Sequence, residues 1–221
     1  MMLRRTLLLL CAGLLALGGC SNPFAPKKHT PEGGGEQPPA PPATTPEIFF
    51  DNLHRAMRDR DKDLYETLLD DNFWFTETNC QGELVYYNGR EEELAFIGGT
   101  RDGSKPGVFD RFRTFDFEFT LNRRDVELGR DYPKADEDDP DGHPDEDWQF
   151  FRGRVQMLMT DENGDGYRVD QGMTFKLRQG AEGLWKLIRW IDDPLSGDCS
   201  TDESGKPVAE WVGWGKVKQG R

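Results

Sequence analysis

The sequence is poor in the residues on which most hydrolytic, redox and metal chemistry depends. It has 3 histidines and 4 cysteines in 221 residues. No C-x-x-C pair or Cys/His cluster is present, which argues against a structural zinc site. Nucleophilic-serine motifs, phosphate-binding Walker loops and dinucleotide fingerprints are also missing, so the common nucleotide-dependent and acyl-transfer classes have no foothold. His29 lies in a proline-rich stretch, His143 in an acidic one and His54 on the flank of a predicted helix. A histidine-centred mechanism would have only His54 to use. Basic excess is missing too: the formal net charge is −13. A surface of that sign repels nucleic acid and anionic headgroups, and a nucleic-acid partner is excluded on that ground. No cofactor motif is found, and none is expected.

What is present is informative first at the N-terminus. Arg4 and Arg5 precede an apolar run, Leu7 to Leu17, of signal-peptide length, too short to cross a bilayer comfortably. It ends in Leu17-Gly18-Gly19-Cys20, and small residues directly before a cysteine resemble the lipobox of bacterial lipoproteins. The resemblance implies cleavage before Cys20 and a lipid on its thiol, so that the membrane is a partner through that anchor. Ser21 rather than an aspartate follows, which by analogy points to the outer membrane, facing the periplasm. Cys11 would leave with the signal. Cys80 and Cys199 remain and are expected to pair in an oxidising compartment.

Residues 1–19 thus read as signal and 20–45 as a lipidated Pro/Gly-rich tether, too poor in apolar periodicity to fold. Residues 46–195 read as one domain and 196–221 as a tail, in which Trp211 and Trp214 suggest docking. Phe49, Leu53, Ala56 and Met57 mark one face of a first helix. Asp63 and Glu66, in capping-box spacing, with Leu64, Leu68 and Leu69, mark a second. Two aromatic runs around Asn79–Gly82 predict a hairpin, and "GREEELAFIGG" a short third helix with Glu91 to Glu93 near its N-terminus and glycines at its end. Phe115, Phe117, Phe119 and Leu121 alternate with polar residues in a half-buried strand. Further strands follow, with Phe151, Val155, Met157 and Met159 on one parity and Val169, Met173, Phe175 and Leu177 on another. Helices first and long antiparallel strands last predict an α+β fold. The acidic stretch Asp131–Asp147 reads as a solvated insertion between strands.

"PEIFFDNLHRAMRDRDKDLYETLLDDNFWFT" and the closing "GLWKLIRW" resemble, in order, the opening helices and last strand of the nuclear-transport-factor-2-like superfamily, also called SnoaL-like or ketosteroid-isomerase-like. The resemblance spans Pro46 to Pro194. It implies a cone-shaped, cystatin-like α+β roll: N-terminal helices packed on a strongly curved antiparallel sheet around a pocket. Because that fold hosts enzymes, binding modules and docking domains, it implies no single activity. It suggests Tyr65, Trp74, Tyr86, Phe117 and Trp185 as pocket lining, and exposed sheet faces that support a homodimer.

Three functions follow as expectations. The first is a membrane-anchored, non-catalytic domain binding a small ligand or an envelope protein. The second is an isomerase- or dehydratase-like enzyme, with Tyr65, Tyr86 or Tyr87 as donor and Asp116, Glu118 or Asp170 as base. Those carboxylates have the parity opposite to the apolar stripes, so no catalytic residue is assigned. The third is a calcium-dependent structural lipoprotein, with Asp161, Asn163 and Asp165 as ligands. An EF-hand loop begun at Asp161 would need an acid at its twelfth position, where Gly172 stands. Asn163-Gly164 and Asp165-Gly166 are better read as a hairpin turn.

Overall fold

The computed structural model describes residues 38–80, 83–135, 141–193 and 213–218. The chain divides into Met1–Pro39 and Ala40–Arg221, and every element below belongs to the second unit. The signal, Cys20, most of the tether and Cys199 lie outside the described residues. No helix among the described residues is long and apolar enough to cross a membrane.

Helix α1, Pro46–Asp59, starts where the sequence stops it from starting earlier. The Thr45 side chain accepts from the Ile48 N–H, Pro46 occupies the first turn, and Glu47 favours the positive end of the dipole. It ends at Arg60, in the left-handed conformation (φ 56°), whose N–H caps Ala56 and Met57. Phe49, Leu53, Ala56 and Met57 are its buried face. Helix α2, Lys62–Leu68, is capped by Asp61, whose carboxylate accepts from Leu64 N at 2.9 Å. The expected Asp63–Glu66 box is therefore replaced by a cap two residues earlier. Tyr65 is wholly buried on this helix, and Leu64, expected on the buried stripe, is half-buried against the core.

Strands β1 (Leu69–Thr78) and β2 (Leu84–Gly89) form the hairpin. Helix α3, Arg90–Gly98, follows and stops at Gly99 (φ 85°). A short helix, α4 (Val108–Arg111), leads into β3 (Thr114–Glu127). Then β4 (Trp148–Thr160), β5 (Gly166–Gln179) and β6 (Trp185–Asp193) complete a six-stranded sheet of order β2-β1-β6-β5-β4-β3. All neighbours are antiparallel except β1 and β6. The protein is α+β, with helices on one face of a curved, mostly antiparallel sheet. The register of β3 on β4 shifts between Leu121 and Arg123, and Leu121, expected on the buried stripe, is 48% exposed beside that irregularity.

Inner parity is kept along β4 and β5, where Phe151 faces Phe175 and Met157 faces Val169. In β6 it is broken: Lys176 pairs with Arg189 but Leu177 with Leu187, so Ile188 is an extra residue. The bulge lets Leu187 and Trp190 both reach the core.

The other face of the sheet corrects the reading of the acidic insertion. Its described parts pack down. His143 is stacked between Trp148 (3.8 Å) and Tyr132 (4.3 Å). Asp141 bridges Arg189 and Lys176, and Arg178 grips Asp70 at 2.7 and 2.9 Å while also reaching Glu146. Burial pushes Asp141 upward, yet its two cationic neighbours hold its carboxyl below the ordinary range. Two of the acids read as solvated, Asp141 and Glu146, are counter-charges of cations on strands β5 and β6, whereas Asp131, Asp145 and Asp147 are exposed as expected.

Candidate functional site

Six polar residues point into the core between helices and sheet. Glu77 on β1 and Asp192 on β6 are cross-strand partners, each two residues beyond an inward aromatic, Phe75 and Trp190. Gln171 on β5 shares the parity of Val169 and Met173 and is wholly buried. Asn88 comes from β2, Glu93 from α3 and Tyr65 from α2. All are buried.

Glu93 is the centre. Its Oε1 accepts from the Tyr65 hydroxyl at 2.8 Å, and its Oε2 from Asn88 Nδ2 at 2.9 Å. Its ammonium partner comes from the far end of the chain. Helix α5, Trp214–Lys218, lies inside the roll, and Lys218 Nζ donates to Glu93 Oε2. Neither side chain has exposed surface. The same Nζ stands 3.4 Å from the centroid of the Phe75 ring and within 6 Å of Phe96, Trp190 and Trp214. Trp214 stacks on Trp190 at 6.4 Å and meets Phe96 and Phe115 edge to face. Its backbone N–H donates to Gln171 Oε1 at 2.8 Å, and the Gly215 N–H donates to Asp192.

Gly215 suits this approach, because a Cβ there would sit 1.9 Å from Glu77 Oε2 and the Glu77 side chain would have to move. Asn88 Oδ1, Gln171 Nε2 and Asp192 Oδ2 are buried with no hydrogen-bond partner among the described residues.

Burial pushes Asp192 well above the ordinary carboxylate range, against the pull of Lys218 and with Glu77 adding to the rise. Burial pulls Lys218 below the ordinary ammonium range, and Glu93 opposes it. Tyr65 is raised by burial and by the neighbouring Glu93 charge, so it stays a hydrogen-bond donor. The arrangement can hold one cation against one carboxylate, with an acid of raised pKa and an amide beside it.

The predicted lining residues separate. Tyr65 is in the site, and Phe117 is buried near Trp190, at 6.5 Å. Trp74 is not in the site: its ring meets Tyr87 and Arg189 on the opposite face of β1, as its parity against Phe73 and Phe75 dictates. Trp185 is at the end of β6 away from Asp192, half-buried, with its N–H on Ala43. The side chain of Tyr86 lies outside the described residues. Cys80 is disulfide-bonded, and its expected partner Cys199 lies outside them.

Asp116, Glu118, Tyr87 and His54 are exposed. Asp170 is held low by its hydrogen bond from Arg154 on the outer face. Sequence reasoning missed Glu77, Asp192, Gln171, Glu93 and Lys218. Glu77 and Gln171 carried a signal, their parity with inward apolar residues.

The Asp161 loop is a turn. Asp161 Oδ1 accepts from Asn163 N at 2.8 Å and Asp165 N at 3.0 Å, and Gly164 takes φ 88°. Among the described residues no group of three His, Cys, Asp or Glu side chains is placed to share a metal ion.

No family model matches the chain, and no curated protein matches it. Solved structures with a similar course include a conserved protein from Planctomyces limnophilus, 14% identical, with 66% of this chain and 91% of that one covered and a TM-score of 0.48. A nuclear transport factor 2-like superfamily protein from Salmonella enterica serovar Typhimurium is 10% identical, over 67% and 87% of the two chains, with a TM-score of 0.44. A ketosteroid isomerase-like protein from Erwinia carotovora is 14% identical, over 68% and 93%, with a TM-score of 0.42. The α+β assignment itself stands on the element order and sheet topology.

Proposed function

We propose that this chain is a lipid-anchored protein of the cell envelope, held on the periplasmic side of the outer membrane, whose folded domain binds rather than transforms. The anchor rests on the order of Arg4, Arg5, the apolar run, Leu17–Cys20 and the proline-rich stretch that follows. The binding site of this reading is the interior of the roll. One observation carries it: Gln171 and Asp192, which the segment Gly213–Lys218 touches, and Asn88, bonded to Glu93, each keep a buried polar atom with no hydrogen-bond partner among the described residues. Such atoms are costly in a purely structural core and useful in a site that exchanges occupants.

A second reading, an isomerase-like enzyme, draws on Tyr65 and Glu93, a tyrosine and a carboxylate in hydrogen-bond contact. Against it, Lys218 engages the carboxylate. A base tied to an ammonium is a poor proton acceptor.

Native mass spectrometry of the protein extracted from its own membranes tests the first reading. The expected spectrum shows the diacylglycerol increment, lost in Cys20→Ala, and a small-molecule adduct, lost in Gln171→Leu. A chain with neither increment contradicts it.

A further inference from the structure

The segment Gly213–Lys218 behaves as a ligand of the domain. It is short, and a five-residue helix does not hold its shape in water. Its conformation is imposed by what surrounds it. Its recognition has three parts: an ammonium on Glu93 and against the Phe75 face, an indole between Trp190, Phe96 and Phe115, and a backbone N–H on Gln171. A carboxylate surrounded by aromatic faces recognises an organic ammonium ion.

The charge balance makes the preference strong. With the segment gone, Glu93 keeps its hydrogen bonds from Tyr65 and Asn88 but loses the ammonium, and an unpaired buried carboxylate is costly. A neutral occupant of the same shape leaves that cost in place; a cationic one removes it. The indole slot requires that the ammonium be carried on an aromatic body. Gln171 Nε2, Asn88 Oδ1 and Asp192 Oδ2, which have no hydrogen-bond partner among the described residues, offer further polar contacts.

We propose that the interior of the roll is a site for an aromatic amine, an organic ammonium ion on a planar ring, and that Gly213–Lys218 is the chain's own occupant of it, displaced when such an amine binds. This rests on the reading of the domain as a binding module and names its ligand class.

Tryptamine and tryptophol, which differ only in ammonium against hydroxyl, are the probes. Calorimetric titration uses the chain ended after Val212, and Gly215→Val, whose side chain collides with Glu77. Both variants are expected to bind tryptamine at least tenfold more tightly than tryptophol, with the preference lost when Glu93→Gln is added. In the wild-type chain, hydrogen exchange at Trp214–Lys218 is expected to speed up with tryptamine and not with tryptophol. This arm decides the matter if both variants fail to fold. Equal affinity for the two probes, or unchanged wild-type exchange when the variants give no reading, overturns the amine assignment. A small-molecule adduct in native mass spectrometry would then leave the broader binding reading standing, and its absence would remove that too.

Discussion

Lys218 and Glu93 lie 125 positions apart in the chain and meet inside the roll, with no exposed surface on either side chain. The pair joins the C-terminal helix to the wall of the candidate site. Removing one partner leaves the other charged and buried, so Lys218→Met is expected to lower stability by about 3–5 kcal/mol. Adding Glu93→Gln should recover part of that loss. Urea denaturation of the two single variants and the double variant measures the coupling; additive losses would show that the pair does not interact.

Asp192 supplies a pH dependence with a definite sign. Burial raises its pKa in the folded state well above the unfolded value of 3.8. Its contribution to stability is therefore fully present below 3.8 and lost as pH rises through the raised folded value. Asp192→Asn keeps an acceptor for Trp190 Nε1 and cannot ionise. The melting-point difference, variant minus wild type, is expected to grow steadily from pH 4 to pH 8. A constant difference would refute the raised pKa.

On the outer face, Asp141 works in the opposite direction. Its carboxyl is held low between Arg189 and Lys176, so its contribution is present above 3.8 and lost as pH falls. Asp141→Asn strands a buried guanidinium and should cost about 2 kcal/mol. Amides of His143 to Trp148 are expected to exchange faster in the variant. Unchanged exchange there would mean that the insertion is held by its aromatic stack alone.

The Asp161 turn predicts a null result with calcium and a positive one by mutation. Asp161→Ala removes the acceptor of two backbone N–H groups and should cost about 1 kcal/mol. The wild-type melting midpoint is expected to be the same in calcium and in chelator. A rise with calcium would restore the metal reading.

Much of the fold was legible because its periods are clean. The α1 face and the inner parities of β4 and β5 follow directly from residue order. The site was harder for identifiable reasons. Asp116, Glu118 and Asp170 drew notice as carboxylates among apolar residues but lie on the solvated parity. Glu77 and Gln171 share parity with Phe75 and with Val169 and Met173, and could have been found by following that rule strictly. Asp192 is hidden by the Ile188 bulge when β6 is read from its start. Glu93 reads as one of three glutamates at a helix start, and nothing local distinguishes it. Lys218 is invisible in principle, since no pattern within the tail says which distant carboxylate it meets.

The central claim is that the space held by Trp214 and Lys218 is a binding site. The most direct measurement is a crystal structure of the Gly215→Val chain grown with tryptamine. The predicted result is an indole where Trp214 stood and its ammonium within hydrogen-bond distance of Glu93. A structure with the tail still in place, or an interior closed by Phe75 and Trp190 around nothing, would contradict it.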